Sequence, residues 1–152
     1  MLNDSIKVTG NLNIKLIGPD GVVKEDIDHT NLVVSVGKQF IAARMKAAGA
    51  PAEMSHMELG LGSTAANNAD TALDTSFGTV AKVALATPGG IVSTNTITYS
   101  ATFPAGTGTG AVTEAGIFNS AIGGTMLCRT VFPVVNKPAL DVLAINWTIT
   151  VN

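Results

Sequence analysis

Apolar and polar residues alternate along most of this chain with a period of two, the spacing of strands that bury one face. The clearest case lies near the end, where Leu143, Ile145, Trp147, Ile149 and Val151 interleave with Ala144, Asn146, Thr148 and Thr150. Threonine and β-branched residues on both faces suit a pleated surface and disfavour a helix. A second clean stretch sets Ile97, Tyr99, Ala101 and Phe103 between Thr96, Thr98, Ser100 and Thr102. Near the start, Ile6, Val8, Leu12, Ile14 and Leu16 fall on even positions, with Lys7, Thr9, Asn11, Asn13 and Lys15 between or beside them. That predicts a long strand, bent at Gly10. Gly18, Pro19, Asp20 and Gly21 then have turn chemistry, so residues 1–30 read as an N-terminal hairpin or arm. Its return strand carries Lys24, Glu25, Asp26 and Asp28, charges expected on a solvated edge that resists mispairing.

The pattern continues with a strand over 31–36 (NLVVSV), after which Ser35 or Gly37 can begin the only helix, with helical spacing over 38–48. There Phe40, Ile41, Met45 and Ala48 can share one face, and Gly49 with Pro51 supplies the stop. Residues 54–61 read as a strand and 62–77 as a surface loop. Ala81, Val83 and Leu85 alternate with Val80, Lys82 and Ala84. Pro88, Gly89 and Gly90 turn the chain into the strand that holds Tyr99, and 104–110 forms a flexible loop. Two more strands, 112–118 and 125–132, flank a turn at 119–124. The sum is about eight or nine strands and one helix, without a repeat or a heptad. The expected fold is a single, mainly β domain spanning 1–152: an antiparallel β-sandwich, jelly-roll-like, with one short α-helix near residues 38–48.

Composition sharpens this picture. Charged residues make up only 13% of the 152, against about 25% in an ordinary soluble domain. From Thr75 onward the only Asp, Glu, Lys or Arg residues are Lys82, Glu114, Arg129, Lys137 and Asp141. A surface of Thr, Asn, Ser, Gly and Ala is one that other protein covers or one built for polar hydrogen bonding. The net charge of −2 and the lack of a basic run argue against nucleic acid as a partner. No apolar window is long enough to span a membrane, and residues 1–10 lack the pattern of a signal peptide. Cys128 is the only cysteine and reads as a small buried hydrophobe, compatible with a reducing cytoplasm.

Catalytic constellations are weak. His29 and His56 lack zinc-ligand spacing, and no nucleophile elbow is present. Glu53 with Glu58, or Asp70 with Asp74, could be paired carboxylates of a hydrolase, but loop charges are the simpler reading. Gly60, Leu61, Gly62 and Ser63 lack the lysine of a phosphate-binding loop. No catalytic, cofactor or metal residue is therefore assigned, and the chain is not read as an enzyme. Three residues are singled out for structural or assembly roles. Glu114 sits among small and apolar neighbours, where a carboxylate needs a partner or backbone donors. Arg129 is the nearest cation if strands 112–118 and 125–132 pair. Trp147 lies on the apolar face with Ile145 and Ile149, a core position.

Several of these segments together resemble small virion structural proteins of tailed bacteriophages. They are 31–34 (NLVV) leading to Gly37 and Lys38, 57–62 (MELGLG), 114–118 (EAGIF), 126–132 (MLCRTVF), Lys137, and 145–151 (INWTITV). The resemblance runs through roughly residues 30–152 and carries packing and turn patterns, not catalytic signatures. It implies a head decoration (cement) protein on the outer surface of the phage head, made in the host cytoplasm. Such a subunit bridges neighbouring copies of the major capsid protein and self-associates, as a homotrimer. Residues 1–30, 62–78 and 104–111 are the expected contact surface. The competing expectation is a tail, baseplate or fibre component that binds host-surface glycan, which calls for exposed aromatic side chains in a groove.

Overall fold

The computed structural model describes residues 4–77 and 79–152; residues 1–3 of the expected N-terminal hairpin lie outside the described residues. The described chain forms β1 (Val8–Ile17), β2 (Val23–Val33), α1 (Ser35–Arg44), β3 (His56–Gly60), β4 (Lys82–Ala84), β5 (Ile91–Ser93), β6 (Thr96–Phe103), β7 (Gly110–Phe118), β8 (Met126–Lys137) and β9 (Val142–Val151). A single 3-10 turn at Thr79–Ala81 precedes β4. The strands make one curled sheet in the order β4-β3-β7-β8-β2-β1-β9-β6-β5, with every pairing antiparallel.

The curl turns this sheet into two layers. β2 is the strand that passes between them: Gly10 to Ile17 of β1 pair along its first nine residues, and Leu32 and Val33 cross to pair with Arg129 and Cys128 of β8. One layer is therefore β2-β1-β9-β6-β5 and the other β4-β3-β7-β8. The pairings are nested, β1 with β9, β2 with β8 and β3 with β7, as expected of a rolled, jelly-roll-like sandwich. The charged half of β2 has a neighbour on one side only, so Glu25, Asp26 and Asp28 do lie along a solvated edge. Lys24 is the exception, since it reaches Asp141 at 2.8 Å.

Strand periodicity decides what is buried. Leu12, Ile14 and Leu16 of β1, Tyr99, Ala101 and Phe103 of β6, and Leu143, Ile145, Trp147 and Ile149 of β9 face inward. They share one core with Met57 and Leu59 of β3, Val112, Ala115 and Ile117 of β7, and Cys128, Phe132 and Val135 of β8. Each fully buried side chain of this size contributes about 1.5–3 kcal/mol relative to exposure. β1 runs through the middle of its layer, so the N-terminal hairpin is part of the body and only residues 4–7 extend from it. Gly10 does not bend β1. It makes room for the Asn31 side chain, whose Oδ1 would lie 1.7 Å from a Cβ at that position.

The helix departs from expectation. It begins at Ser35, one of the two expected starts, but ends at Arg44 and not at residue 48, and Met45 and Ala48 are exposed instead of sharing the face of Phe40. Packing overrides the sequence pattern here. Gly37 rests on the backbone of β8, where a Cβ would come within 1.9 Å of the Leu127 carbonyl oxygen. That contact fixes the start of the helix directly after β2. Beyond Arg44 nothing apolar lies beneath the chain, and Met45 is 86% exposed. Helices this short depend on such tertiary contact. β8 also runs past the expected end at residue 132, through Pro133. The β7–β8 register shifts between Val112 and Glu114, leaving three residues of β8 opposite one of β7. A bulge of this kind tolerates a proline that has no N–H for the ladder.

Candidate functional site

The feature with the most chemistry is a buried charge network on the β7–β8 pair. Glu114 lies opposite Val131 and Gly116 opposite Arg129, so Glu114 and Arg129 are diagonal neighbours on one face. Both side chains are excluded from water, at 0% and 1% exposure. The expected ion pair is present: Arg129 donates from Nε to Glu114 Oε2 at 2.9 Å, and Nη2 lies 2.9 Å from the same oxygen. The rest of the guanidinium reaches the loop after β3, with Nη1 donating to Asp70 Oδ2 at 2.8 Å and Nη2 to the Thr64 carbonyl at 2.9 Å.

The loop answers in kind. Backbone N–H groups of Gly62 and Thr75 donate to Glu114 Oε1 at 2.9 and 2.7 Å, and that of Asp74 to Oε2 at 3.0 Å. Residues 62–76 are thus a strap tied to the sandwich by one carboxylate and one guanidinium. This explains the MELGLG stretch. A Cβ at Gly60 or Gly62 would come 2.5 or 2.4 Å from Glu114 Oε1, so these glycines clear space for a carboxylate and do not cradle phosphate. Burial alone would lower the pKa of Arg129, but its hydrogen bonds to Glu114 and Asp70 outweigh it, and the guanidinium is held above its ordinary value.

Two further clusters follow the same rule. Lys82 on β4 lies 3.4 Å from Glu58 Oε2, donates to the Gly123 carbonyl at 2.9 Å, and sits 3.9 Å over the Phe118 ring. Ser76 also bonds Glu58. Burial, and then the charge of Lys82, hold His56 below its usual pKa. At the opposite end of the sandwich, Lys137 donates to the Pro104 carbonyl at 3.0 Å, while buried Asp141 takes both its hydrogen bonds from Lys24. Burial lowers the pKa of Lys137, with Asp141 opposing.

Arg129, the nearest cation expected for Glu114, is its partner, and the pair is buried. The sequence missed Asp70 as the third member, because nothing in a polar loop shows which residue folds back. Of the candidate carboxylates, Glu58 binds Lys82, Asp70 binds Arg129 in a cleft that Asp74 also lines, and Glu53 lies exposed beside α1. Trp147 is fully buried in the other layer, opposite Leu12 and Tyr99, with no hydrogen-bond partner for Nε1 among the described residues. Its neighbour Tyr99 is pushed up to about 12, chiefly by burial. Cys128 is fully buried, which raises its thiol well above the ordinary value.

The consequence for the surface is simple. All five ionisable side chains between Thr75 and the end point inward: Lys82 is 6% exposed, and the other four are at or below 2%. The described surface from residues 75–152 carries no side-chain charge. It includes the outer face of β6 and β9, where Thr98 and Thr148 hydroxyls meet at 3.1 Å and Ser100 donates to Asn146 at 2.7 Å. Of the seven aromatic residues, six are buried and Phe77 is partly buried. Among the described residues no group of three or more His, Cys, Asp or Glu is placed to hold a metal ion, and no helix is long and apolar enough to cross a membrane. No family model, curated protein or solved structure matches the chain.

Proposed function

We propose that this chain is a structural subunit of a tailed bacteriophage particle, a decoration protein of the head that bridges neighbouring major capsid subunits. The charge-free skin of residues 75–152 is the observation that carries this reading. A dispersed protein normally keeps charge on its surface, and interface cores are depleted of charged residues. Here the five Asp, Glu, Lys and Arg residues of the second half are turned inward: Glu114, Arg129, Lys137 and Asp141 are buried and the Lys82 side chain is 6% exposed. Their work is internal: they tie loops and strand ends to the sandwich and leave Thr, Ser and Asn outside.

A face of hydroxyls and amides, without exposed Trp, Tyr or Arg anchors, makes weak individual contacts. Repetition across a particle multiplies them, because each copy already held nearby binds its next contact intramolecularly. The same face fits a glycan adhesin poorly, since the aromatic platforms such a reading calls for are in the core.

Particles prepared without the protein, then supplemented with purified chain, test the proposal. They should assemble, release their contents at a lower temperature, and regain heat resistance on addition. The doubly substituted Thr98→Lys, Thr148→Lys chain should fold normally and fail to restore it. Unchanged heat resistance together with lost adsorption to host cells would move the protein to the tail.

A further inference from the structure

We infer that the end of the sandwich beside α1 receives residues 4–7 of a second copy, with Ile6 in an apolar pocket and Asp4 against Arg44. The inference deepens the assembly reading by naming one contact of the chain with itself.

Strand register exposes the site. Val92 lies opposite Ile97, Ile97 opposite Ile149, and Val8 opposite Val151, so all five share the inward face of their layer. Ile149 is covered at 3% exposure, yet Val92 is 69% and Val151 43% exposed. The inward face of this layer therefore runs beyond the layer that covers it. Between the overhang and Phe40 and Ile41 of α1 lies a pocket of about 240 Å³, with Tyr99 in its wall. An apolar cavity of about 150 Å³ holds a benzene, so this one has room for an aliphatic side chain.

The 4–7 segment leaves the body from the wall of that pocket. Lys7 continues the ladder with Asn152, through bonds of 2.9 and 2.7 Å, and residues 4–7 are exposed, Ile6 at 78%. In its own copy the segment leaves the pocket unfilled, with Ile6 exposed and no part of its lining. Lys7 is held extended one residue before Val8, and a chain reversal takes about four residues. A neighbour's segment has no such restriction, and a reciprocal exchange closes a symmetric assembly.

Charge favours the same occupant. Arg44 and Glu53 stand at the pocket's rim; the Arg44 guanidinium donates to the Pro51 carbonyl at 2.8 Å, and neither side chain has an ion-pair partner among the described residues. The segment carries Asp4 and Lys7 on either side of Ile6. Asp4, on the same side of the extended segment as Ile6, meets Arg44 when Ile6 is seated. Such rim pairs select a partner and its register more than they add affinity.

Sedimentation of the full chain over a concentration series tests this, alongside the variants Ile6→Asp, Arg44→Asp, Asp4→Arg and the double Asp4→Arg, Arg44→Asp. The native chain should self-associate, each single variant should weaken association by about tenfold or more, and the double variant should recover most of it. Circular dichroism should report the same fold throughout. In an Ile6→Cys, Val151→Cys chain, oxidation should give disulfide-linked dimers. A native chain that is monomeric at every concentration, an Ile6→Asp chain that associates like the native one, or a bond formed within one chain would overturn the exchange. A monomer that still restores heat resistance to depleted particles would overturn this inference alone and leave the decoration role standing.

Discussion

Replacing Glu114 by glutamine keeps the shape of the side chain and removes its charge. In the native fold that carboxylate accepts three backbone N–H groups from the 62–76 strap and two contacts from Arg129. A glutamine amide turns one acceptor oxygen into a donor, which then faces N–H groups already pointing at it. Arg129, 1% exposed, is left with Asp70 as its only anion. Breaking a buried ion pair from one side costs about 3–5 kcal/mol. Total stability for a domain of this size is about 5–15 kcal/mol, so the loss is a third or more of the whole. With about 2–4 °C per kcal/mol at this length, Tm should fall by roughly 10 °C. Urea denaturation measures the free energy, and amide exchange locates it. The amides of Gly62, Asp74 and Thr75 should exchange much faster in the variant, while those at the centre of β1 and β9 should slow or speed only with global stability. An Arg129→Met partner completes a double-mutant cycle. The double variant should regain part of the loss by removing the stranded cation, yet not all, because the Asp74 N–H, which pointed at Oε2, still faces the glutamine amide nitrogen. A Glu114→Gln protein within about 1 kcal/mol of native, with the strap still protected, would refute this account of the network.

Gly62→Ala should destabilise by about 1–3 kcal/mol, because its methyl would enter the space of the Glu114 carboxylate; chemical denaturation of the variant measures it. Trp147→Ala should cost about 3–5 kcal/mol, since a fully buried indole leaves a cavity between β1 and β6, and equilibrium unfolding reads the loss. Tyr99 adds a pH dependence. Its phenol keeps its proton up to about 12 in the fold, against 10.0 when free, so the unfolded chain holds fewer protons in that window. Stability should fall as pH rises through it, and Tyr99→Phe should flatten that part of a stability–pH series. Cys128, fully buried with its thiol pKa raised, should resist a thiol reagent in the native protein and react as the chain unfolds.

Much of the architecture was legible in the order of residues. Period-two alternation is a local property, and it located β1, β6 and β9 and the inward positions of Trp147, Tyr99 and Leu12 within a residue or two. Glu114 was legible for a different reason. A carboxylate among Ala, Gly, Ile and Phe in a nearly uncharged stretch has to find a partner, and Arg129 stood one hairpin away. The helix stops short of the expected 48 because its limits are set by what lies under it, the Leu127 backbone beneath Gly37 and open solvent beneath Met45.

What the sequence determined by itself, then, was a β-sandwich with a core on alternate residues and a second half poor in charge. The tertiary structure alone decided where those few charges point. Alternation sets Lys82 among the polar positions of its segment and does not reach Lys137 or Asp141; what encloses them is packing at the strand ends, with Glu58 and the Gly123 carbonyl holding Lys82, the Pro104 carbonyl holding Lys137, and Lys24 holding Asp141. Burial of an ion depends on partners far apart in the chain, such as Lys24 with Asp141 or Arg129 with Asp70. Local pattern holds no record of such long-range pairs, and so the neutral skin they leave behind emerges with the fold.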